Sequence, residues 1–450
     1  MKYRIFIMIF FFSSTIVFSQ QVEDSVINLT LKRACELALQ RNKNVLNAKL
    51  DVFKAKKKIM ETTAIGLPQV NANFSHNYNI DLPVTLLPAQ IFNPQAPPGT
   101  YMEMRFGTEH STKFGLTVSQ LIFNGQYLVG LQTTKVFKQL NETKLKQTER
   151  DIKYLVIETY FLTLITKENT KIIDSNYVFV KKIYEDTKKL YEAGIVEKTN
   201  VKQMEFNLVQ LENARKAIYR ELKVVKNLLK FQIGIDLNTK INLVDNINEI
   251  ENSIKDVNFL IEKEISPENN LDYKLIETQE KLQSLAIKNE KSSLLPVISV
   301  FYNHQESQMG DKIQWFESEA KWYKANILGL NINIPIWGSG QKIAKISQAK
   351  VEYDKILNQK WMFKQSLILQ TLQAKINLQN AADNYFAQKK NKELTEYIYL
   401  STREKYLNGM AGSMELTQAQ LQYFSVLQKY YQSIMQFLNA KNELEKLIYE

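Results

Sequence analysis

The chain has 450 residues, a formal net charge of +11 and a single cysteine, Cys35. This length exceeds one simple core and indicates several structural parts, while one cysteine excludes an intrachain disulfide. Because lysines are interspersed with glutamates along the predicted helices, the positive charge indicates a solvated surface, and we predict no nucleic-acid partner.

The first twenty residues have the pattern of a secretory signal. Lys2 and Arg4 precede an apolar stretch, Ile5 to Phe12, that is shorter than a membrane-spanning helix. We predict a signal peptide at residues 1–20 and an exported mature chain, with an uncleaved anchor as the alternative. No later stretch stays apolar for the roughly 18 residues that a transmembrane helix needs.

The mature chain repeats one plan twice. Leu67-Pro68 recurs as Leu295-Pro296, and Tyr191-Glu192-Ala193-Gly194 recurs as Tyr406-Leu407-Asn408-Gly409, with a numbering offset of 409 − 194 = 215. We predict a first repeat over residues 21–233, an irregular connector over 234–264 and a second repeat over 265–450. Each repeat has the predicted order helix, strand hairpin, long helix, turn and helix.

The first repeat opens with a predicted helix from Leu29 to Ile65, with Thr30 as its N-cap. Apolar and polar residues then alternate from Val70 to Ile80 and from Lys113 to Phe123. This alternation predicts two strands, each with one apolar and one polar face. Between them, the segment from Leu82 to Ser111 carries five prolines and is predicted to be a loop.

Two proline-free segments of equal length predict two very long helices. They run from Gln126 to Glu192 and from Gln341 to Leu407. Each helix would be ~100 Å long at ~1.5 Å per residue. Apolar residues recur at seven-residue spacing in the first, which predicts coiled-coil-like lateral packing. Gly194 and Gly409 follow these helices and are predicted to turn the chain into the next helix.

In the second repeat, Ser266-Pro267-Glu268 is predicted to open a helix that ends at Leu295-Pro296. Strands are predicted from Val297 to His304 and from Asn326 to Ile336, separated by an outer loop at Gln305 to Lys324. Aromatic residues in that loop predict a membrane-interface belt, with a ligand patch as the alternative: Trp315, Phe316, Trp322 and Tyr323.

Short two-faced strands beside very long helices suit an outer-membrane barrel whose polar face lines a water-filled lumen. Four strands per chain cannot close such a barrel, because every strand edge needs a partner in lipid, so membrane insertion requires an oligomer. The alternative is a soluble strand hairpin packed on a helical bundle. No nucleotide-binding or catalytic signature occurs in the sequence, and we predict that the chain is not an enzyme.

The three histidines, His76, His110 and His304, fall on or beside predicted strands. Two interpretations are open: they are interfacial or lumen residues, or they cluster near the outer mouth and bind metal. We favour the first and predict no metal site and no cofactor. Met410 and Met414 flank the second glycine turn, where packing or contact with a partner is favoured over soft-metal binding.

Several motifs resemble TolC-like outer-membrane factors: the opening Leu31-x-x-Ala34-x-x-x-Ala38-Leu39-x-x-Asn42, both Leu-Pro helix ends and both Tyr-x-x-Gly turns. The resemblance implies an α+β, mostly α fold in which a homotrimer forms a membrane β-barrel, with four strands per chain, continued by a long α-helical barrel in the periplasm. It implies a passive exit duct in the outer membrane for an efflux or secretion system, joined through a periplasmic adaptor to an inner-membrane transporter. The alternative function is an exported helical scaffold or adhesin without a pore.

The resemblance also implies a pore gate at the periplasmic tip, next to the two glycine turns. In the family, acidic residues after the second turn narrow the pore and favour cations. Glu415 falls on the first such position and Gln418 on the second, where an uncharged side chain departs from the family pattern; the matching first-repeat residues are Asn200 and Gln203. Glu415 has a second interpretation, because a carboxylate in a first turn stabilises a helix N-terminus by ~0.3–1 kcal/mol.

Overall fold

The computed structural model describes residues 26–246, 257–263, 266–313, 315, 317 and 320–448. The predicted signal peptide, residues 247–256 and 264 of the predicted connector, and Phe316 lie outside the described residues. The chain divides into two compact units. The first is Met1–Lys43, Asp151–Glu262 and Asn377–Asn442, and the second is Asn44–Arg150, Lys263–Ile376 and Glu443–Glu450.

The described elements follow one another as β1 (Ile27–Leu29), α1 (Leu31–Arg41), α2 (Lys43–Ile65), β2 (Gln69–Tyr78), β3 (Val84–Pro88), β4 (Tyr101–Arg105), β5 (His110–Phe123), α3 (Gly125–Glu192), α4 (Lys198–Ile233), β6 (Ile241–Leu243), α5 (Val257–Glu262), α6 (Leu271–Ser292), β7 (Val297–Gly310), β8 (Tyr323–Asn333), α7 (Gln341–Leu407) and α8 (Ser413–Ile448). Short 3₁₀ turns lie at Ala89–Ile91 and Pro267–Asn269. The two long helices, α3 with 68 residues and α7 with 67, agree with the predicted bounds to within one residue. Among the described helices, none combines the length and apolarity that crossing a membrane requires.

The second unit contains a four-stranded antiparallel sheet with the order β2-β5-β7-β8. The hairpin of each repeat supplies two strands, and β5 pairs with β7 to join the hairpins, so β2 and β8 are the two edges of the sheet. Strand β7 continues to Gly310, beyond the predicted end at His304. Strand β8 ends at Asn333, before the predicted Ile336, because Pro335 has no N–H to donate to a ladder.

The proline-rich segment was wrongly predicted as a loop, since it contains the separate two-stranded sheet of β3 and β4. These strands pair in antiparallel fashion from Val84 with Arg105 to Pro88 with Tyr101. The prolines lie where no ladder hydrogen bond needs an N–H, before β3, at its last residue and in the connecting turn: Pro83, Pro88, Pro94, Pro97 and Pro98.

In the first unit, a short parallel sheet was missed at the start of the chain. Strand β1 pairs in parallel with β6, which lies in the segment predicted to be an irregular connector. Leu29 is therefore the last residue of β1 and not the first of a helix. Thr30 is the N-cap of α1 as predicted, because its side-chain oxygen accepts a hydrogen bond from the Arg33 N–H at 3.2 Å.

The single helix predicted from Leu29 to Ile65 is broken at Asn42, whose ψ of 130° leaves the helical region. The Asn42 Nδ2 group donates to the Gln232 carbonyl oxygen at 2.6 Å. Gly234, with φ +74°, packs against this break so closely that a Cβ would lie 2.4 Å from the Arg41 carbonyl oxygen. The break is thus fixed by a contact with a distant part of the chain, which helical periodicity cannot show.

The Ser266-Pro267-Glu268 segment was predicted to start a helix but forms a 3₁₀ turn. The α-helix α6 begins after Asn270, whose side-chain oxygen accepts hydrogen bonds from the N–H groups of Asp272 and Tyr273 at 2.9 and 3.2 Å. The extended backbone of Asn270, with ψ 134°, separates the turn from the helix. The predicted helix therefore exists, but Asn270 is its N-cap.

The core of the first unit includes a threonine-rich seam on α3. Large side chains such as Tyr160, Tyr385 and Phe437 are fully buried there. The buried threonines satisfy their hydroxyls by donating to carbonyls one helical turn earlier, so a polar seam can be buried without leaving these hydroxyls unpaired: Thr159, Thr163, Thr166 and Thr170. These buried threonines are therefore compatible with tight lateral packing of α3.

Candidate functional site

Gly194 and Gly409 end the two long helices with the same backbone geometry. Their φ angles are +75° and +72°, in the left-handed region where a side chain at Cβ is strained. The residue after each glycine donates its N–H to the carbonyl five positions earlier, at 2.9 Å in the first turn and 2.8 Å in the second. Because α4 and α8 begin at the same distance after their glycine (198 − 194 = 413 − 409), the two turns are equivalent.

The four predicted gate residues follow these turns on α4 and α8. Glu415 and Gln418 are exposed, whereas Asn200 and Gln203 are half-buried. Within the described part of the chain, no hydrogen bond or ion pair joins any two of the four. Glu415 lies in the first turn of α8, where a carboxylate favours the helix N-terminus. Their role as a gate stays a prediction.

Two side-chain hydrogen bonds close to the turns connect helices of the first repeat to helices of the second. The hydroxyl groups of Thr187 on α3 and Tyr406 on α7 lie 3.2 Å apart. Asn207 on α4 donates from Nδ2 to the hydroxyl oxygen of Thr417 on α8 at 2.8 Å. The sequence points to Tyr406 through the repeated Tyr-x-x-Gly turn, but it carries no signal for the partners in either bond.

A charged cluster joins α3 to α4. The Arg215 Nε group donates to one oxygen of Asp174 at 2.6 Å, and the Tyr219 hydroxyl donates to the other at 2.5 Å. The guanidinium lies 5.1 Å from the centre of the Tyr177 ring. The pKa of Asp174 lies below its ordinary value. The largest cause is the hydrogen bond from Tyr219, and the hydrogen bond and positive charge of Arg215 act in the same direction.

One face of α8 is polar and exposed from Glu415 to Asn439. Its side chains recur at alternating steps of three and four, which keeps them on one side of the helix. None is apolar, and only one is acidic and one basic: Glu415, Gln418, Gln422, Ser425, Lys429, Gln432, Gln436 and Asn439. Other positions of the same helix, such as Leu427 and Phe437, are buried in the first unit. This polar stripe is suited to face water.

The four-stranded sheet has one largely apolar face that is exposed in the chain. One row of paired residues crosses all four strands, and each of its side chains is largely apolar: Val70, Val118, Tyr302 and Leu328. Leu328 is 77% exposed and Val70 63%. A contiguous apolar surface of this kind needs lipid or protein to cover it.

The opposite face of the sheet is largely polar. It begins with Asn71 and Asn73 on β2 and continues across the register with Thr117 and Asn303. Phe301 is an exception, but its ring lies over its cross-strand partner Gly329, where a Cβ would approach the ring to 2.4 Å. The two faces thus differ in polarity over much of the sheet, although the row that contains Asn303 ends at the exposed Ile327 on β8.

The structure brings two of the three histidines together. His76 on β2 and His110 on β5 are neighbours, whereas His304 on β7 contacts Asn326. Trp315 contacts the His76 ring, and Met410 and Met414 are 71% and 66% exposed beside the second glycine turn. Among the described residues, no group of three or more side chains from His, Cys, Asp and Glu forms a metal-binding cluster.

Residues 268–448 match the model of the outer membrane efflux protein family. No curated protein sequence matches the chain. Among solved structures, the CmeC outer membrane channel of Campylobacter jejuni is similar with a TM-score of 0.71 at 17% identity, over 93% of this chain and 85% of that one. CusC is similar with a TM-score of 0.70 at 16% identity, over 94% and 93%.

The MtrE outer membrane channel of Neisseria gonorrhoeae, in its open state, is similar with a TM-score of 0.64 at 15% identity, over 93% of this chain and 88% of that one. These likenesses show that the chain has the fold of outer-membrane channels. Together with the family match across the second repeat, they confirm the resemblance that the sequence motifs indicated.

Proposed function

We propose that the chain is a subunit of a trimeric outer-membrane duct, a passive exit channel for an efflux or secretion system. The observation that carries this proposal is the two-faced sheet with its edges at β2 and β8. In lipid both edges need strand partners, and the exposed apolar face needs apolar surroundings. Three chains would supply 3 × 4 = 12 strands to close one barrel, with the polar face lining water.

The apolar face ends at different levels on neighbouring strands, and this offset supports the inference that the strands are tilted in the membrane. The apolar residues end at Phe114 on β5 but at Tyr302 on β7, and the partner of Tyr302 on β5 is Val118. The boundary is therefore displaced along β5, from Phe114 to Val118, between the two hairpins. Strands in membrane barrels tilt by ~35–45°. The membrane boundary therefore meets neighbouring strands at residues that are not paired with each other, as seen here.

The polar stripe on α8 supports a water-filled passage through the helical part of the duct. Its side chains are mostly amides, which hydrogen-bond to water without strongly attracting either sign of charge. Glu415 is the one acid of the stripe and lies at its end, next to the second glycine turn. In a trimer, three copies of Glu415 would form a ring that favours cations, and this ring is the proposed gate.

The partners follow from the surface beside the glycine turns. Large apolar side chains are exposed there, with Ile195 at 69%, Met410 at 71% and Met414 at 66%. Exposed apolar groups at an end of a helical hairpin favour docking of another protein. We propose that a periplasmic adaptor docks on this surface and couples the duct to an inner-membrane transporter.

The proposal is tested by recording single-channel currents of the purified chain in planar lipid bilayers. We expect stable, cation-preferring channels, with a lower cation preference in Glu415→Gln because the carboxylate ring is removed. Glu393→Gln is the matched control, since Glu393 is exposed on α7 outside the stripe. Channels that keep their selectivity in Glu415→Gln would retain the duct and leave Glu415 as a helix-start residue.

An exported helical scaffold without a pore is the second candidate, because long helical hairpins also serve as interaction surfaces. It is not favoured by the family match or by the solved channels of the same fold. Recovery of the folded chain in the soluble fraction after cell lysis, with no channel activity in bilayers, would support the scaffold and contradict the duct.

A further inference from the structure

His76 and His110 present two ring nitrogens to each other at the end of the sheet remote from the helices. His76 Nε2 and His110 Nδ1 lie 3.4 Å apart. Zinc binds imidazole nitrogen at ~2.0–2.1 Å in tetrahedral geometry, which places two such nitrogens ~3.4 Å apart. The spacing of this pair therefore equals that of two ligands on one zinc ion.

The other nitrogen of His76 is held by a buried hydroxyl group. His76 Nδ1 lies 2.8 Å from the Thr112 hydroxyl oxygen, and Trp315 donates from Nε1 to the same oxygen at 2.8 Å. Thr112 is only 2% exposed. Because a hydroxyl oxygen has two lone pairs, it can accept both N–H groups, which leaves His76 Nε2 without a proton. In the metal-free chain this nitrogen accepts the hydrogen bond from His110 Nδ1, and a metal ion would take the place of the shared proton. An outer hydrogen bond like that of Nδ1 to Thr112 orients metal-binding histidines in general.

Aromatic neighbours fix both imidazole rings. Tyr78 stacks on His110 with 4.7 Å between ring centres, and Trp315 contacts His76 edge-on at 5.2 Å. The strand register reinforces this arrangement, because Tyr78 pairs with His110 and His76 pairs with Thr112. A pair of rings that is already oriented loses little conformational entropy when a metal binds.

We propose that His76 and His110 form a zinc site with two protein ligands, in which water molecules occupy the remaining positions. Among the described residues no third ligating side chain completes a cluster, so this site is expected to bind zinc more weakly than sites with three or four protein ligands. Neutral imidazole is a preferred ligand of zinc. This inference departs from the prediction of no metal site, and it does not depend on whether the chain forms a duct.

His304 provides a matched control on the same sheet. Its Nδ1 lies 2.7 Å from the Asn326 side-chain oxygen, and its Nε2 lies 3.5 Å from a carboxylate oxygen of Glu306. No second imidazole faces it in the described sheet. Replacement of His304 removes a histidine from the same apolar-facing side of the sheet without changing the His76–His110 pair.

Isothermal titration of the metal-stripped full chain in detergent with Zn²⁺ tests the site. We expect one zinc ion per chain, with binding lost in His76→Gln and in His110→Gln and retained in His304→Gln. Thr112→Val is expected to weaken zinc binding by about 10–100-fold, because it removes the outer hydrogen bond. Zinc binding that is unchanged in both ligand variants would overturn the proposal.

Cobalt provides a test on the unaltered chain, which remains valid if a variant fails to fold. Co²⁺ is expected to bind the unaltered chain in a one-to-one ratio in calorimetry, and Zn²⁺ is expected to displace it stoichiometrically. A chain that binds neither ion in calorimetry contradicts the site.

Discussion

The two glycine turns share one backbone but carry different side chains. Gly194 and Gly409 have nearly the same φ, the same closing hydrogen bond and the same distance to the following helix. At the third position of that helix, however, α4 has the half-buried Asn200 and α8 the exposed Glu415. Duplication has preserved the turn geometry, which depends on glycine, while charge and exposure differ between the two copies.

The two helix pairs that flank the turns also differ in their side chains. In the first repeat, Asp174 on α3 binds Arg215 and Tyr219 on α4 through charged hydrogen bonds. The positions that match Arg215 and Tyr219 in the second repeat are Tyr430 and Ile434, which are buried and apolar in character. One helix pair is thus joined by polar contacts at its surface, and the other by burial of apolar side chains.

The largest effect is expected from replacing either turn glycine. Gly194→Ala and Gly409→Ala should each lower the free energy of unfolding by about 1–2 kcal/mol, because an L-residue is strained at positive φ. A Cβ added at either position would meet no atom within 4 Å, so the two losses should be equal. Chemical denaturation of the chain in detergent measures both.

Gly338→Ala is the matched control, since Gly338 has no neighbour within 4 Å, no positive φ and no helix-capping position, and it should leave stability nearly unchanged. Clearly unequal losses at the two turn glycines would show that the turns are not equivalent.

The next effect concerns the hydroxyl pair of Thr187 and Tyr406. Tyr406→Phe should cost about 0.5–1.5 kcal/mol, the net value of one hydrogen bond. Tyr191→Phe, at the matching position of the first repeat, should cost almost nothing, because the Tyr191 side chain is 41% exposed and its hydroxyl makes no hydrogen bond in the described chain. Thermal unfolding followed by circular dichroism compares the two variants, and a larger loss in Tyr191→Phe would contradict the comparison.

Smaller changes in stability are expected at the third position of α8 and of α4, and the two variants should differ in sign. Glu415→Gln should lower stability by ~0.3–1 kcal/mol at neutral pH, because it removes a carboxylate from a helix N-terminus. Asn200→Asp introduces that carboxylate in α4 and should raise stability by less, since Asn200 is half-buried. Both changes should shrink at high salt. Equal signs in the two variants, measured by denaturant titration, would refute this explanation.

The smallest effect is a pH dependence confined to the first helix pair. Because the pKa of Asp174 is lowered from 3.8, its contribution is present above that ordinary value and is lost as the pH falls through the lowered value. Asp174→Asn should therefore cost about 0.2–1 kcal/mol at pH 7 and progressively less in acid.

Asp186→Asn on the same helix is the control, since within the described residues Asp186 makes only an exposed ion pair with Lys189, and its cost should be close to zero throughout. Unfolding of each variant, followed across this pH range, should show a cost that declines in acid for Asp174→Asn alone.

Local features of the sequence predicted much of the fold. The bounds of α3 and α7, both glycine turns and the Thr30 cap depend on residues that lie close together along the chain. The parallel β1–β6 pair and the break at Asn42 were missed because their partners lie in distant parts of the chain. The cap at Asn270 was missed because Ser266-Pro267 has the composition of a helix start but forms a 3₁₀ turn.

The candidate site shows the same division. The sequence placed Glu415, Gln418, Asn200 and Gln203 after equivalent turns, because duplication preserves spacing. It did not reveal that Thr187 contacts Tyr406. This contact depends on the axial position of α3 relative to α7, and many weak packing contacts together determine that position.

By itself, the sequence determined the helices, the turns and the alternating faces of the strands, since these depend on hydrophobic period, on glycine and on proline over a few residues. Only the tertiary structure decided which distant side chains meet. It joined the two hairpins into one sheet through β5 and β7, and it placed His76 on one strand beside His110 on the next. The physical reason is that strand register and helix packing are fixed by the sum of many long-range contacts, none of which leaves a periodic signal in the chain.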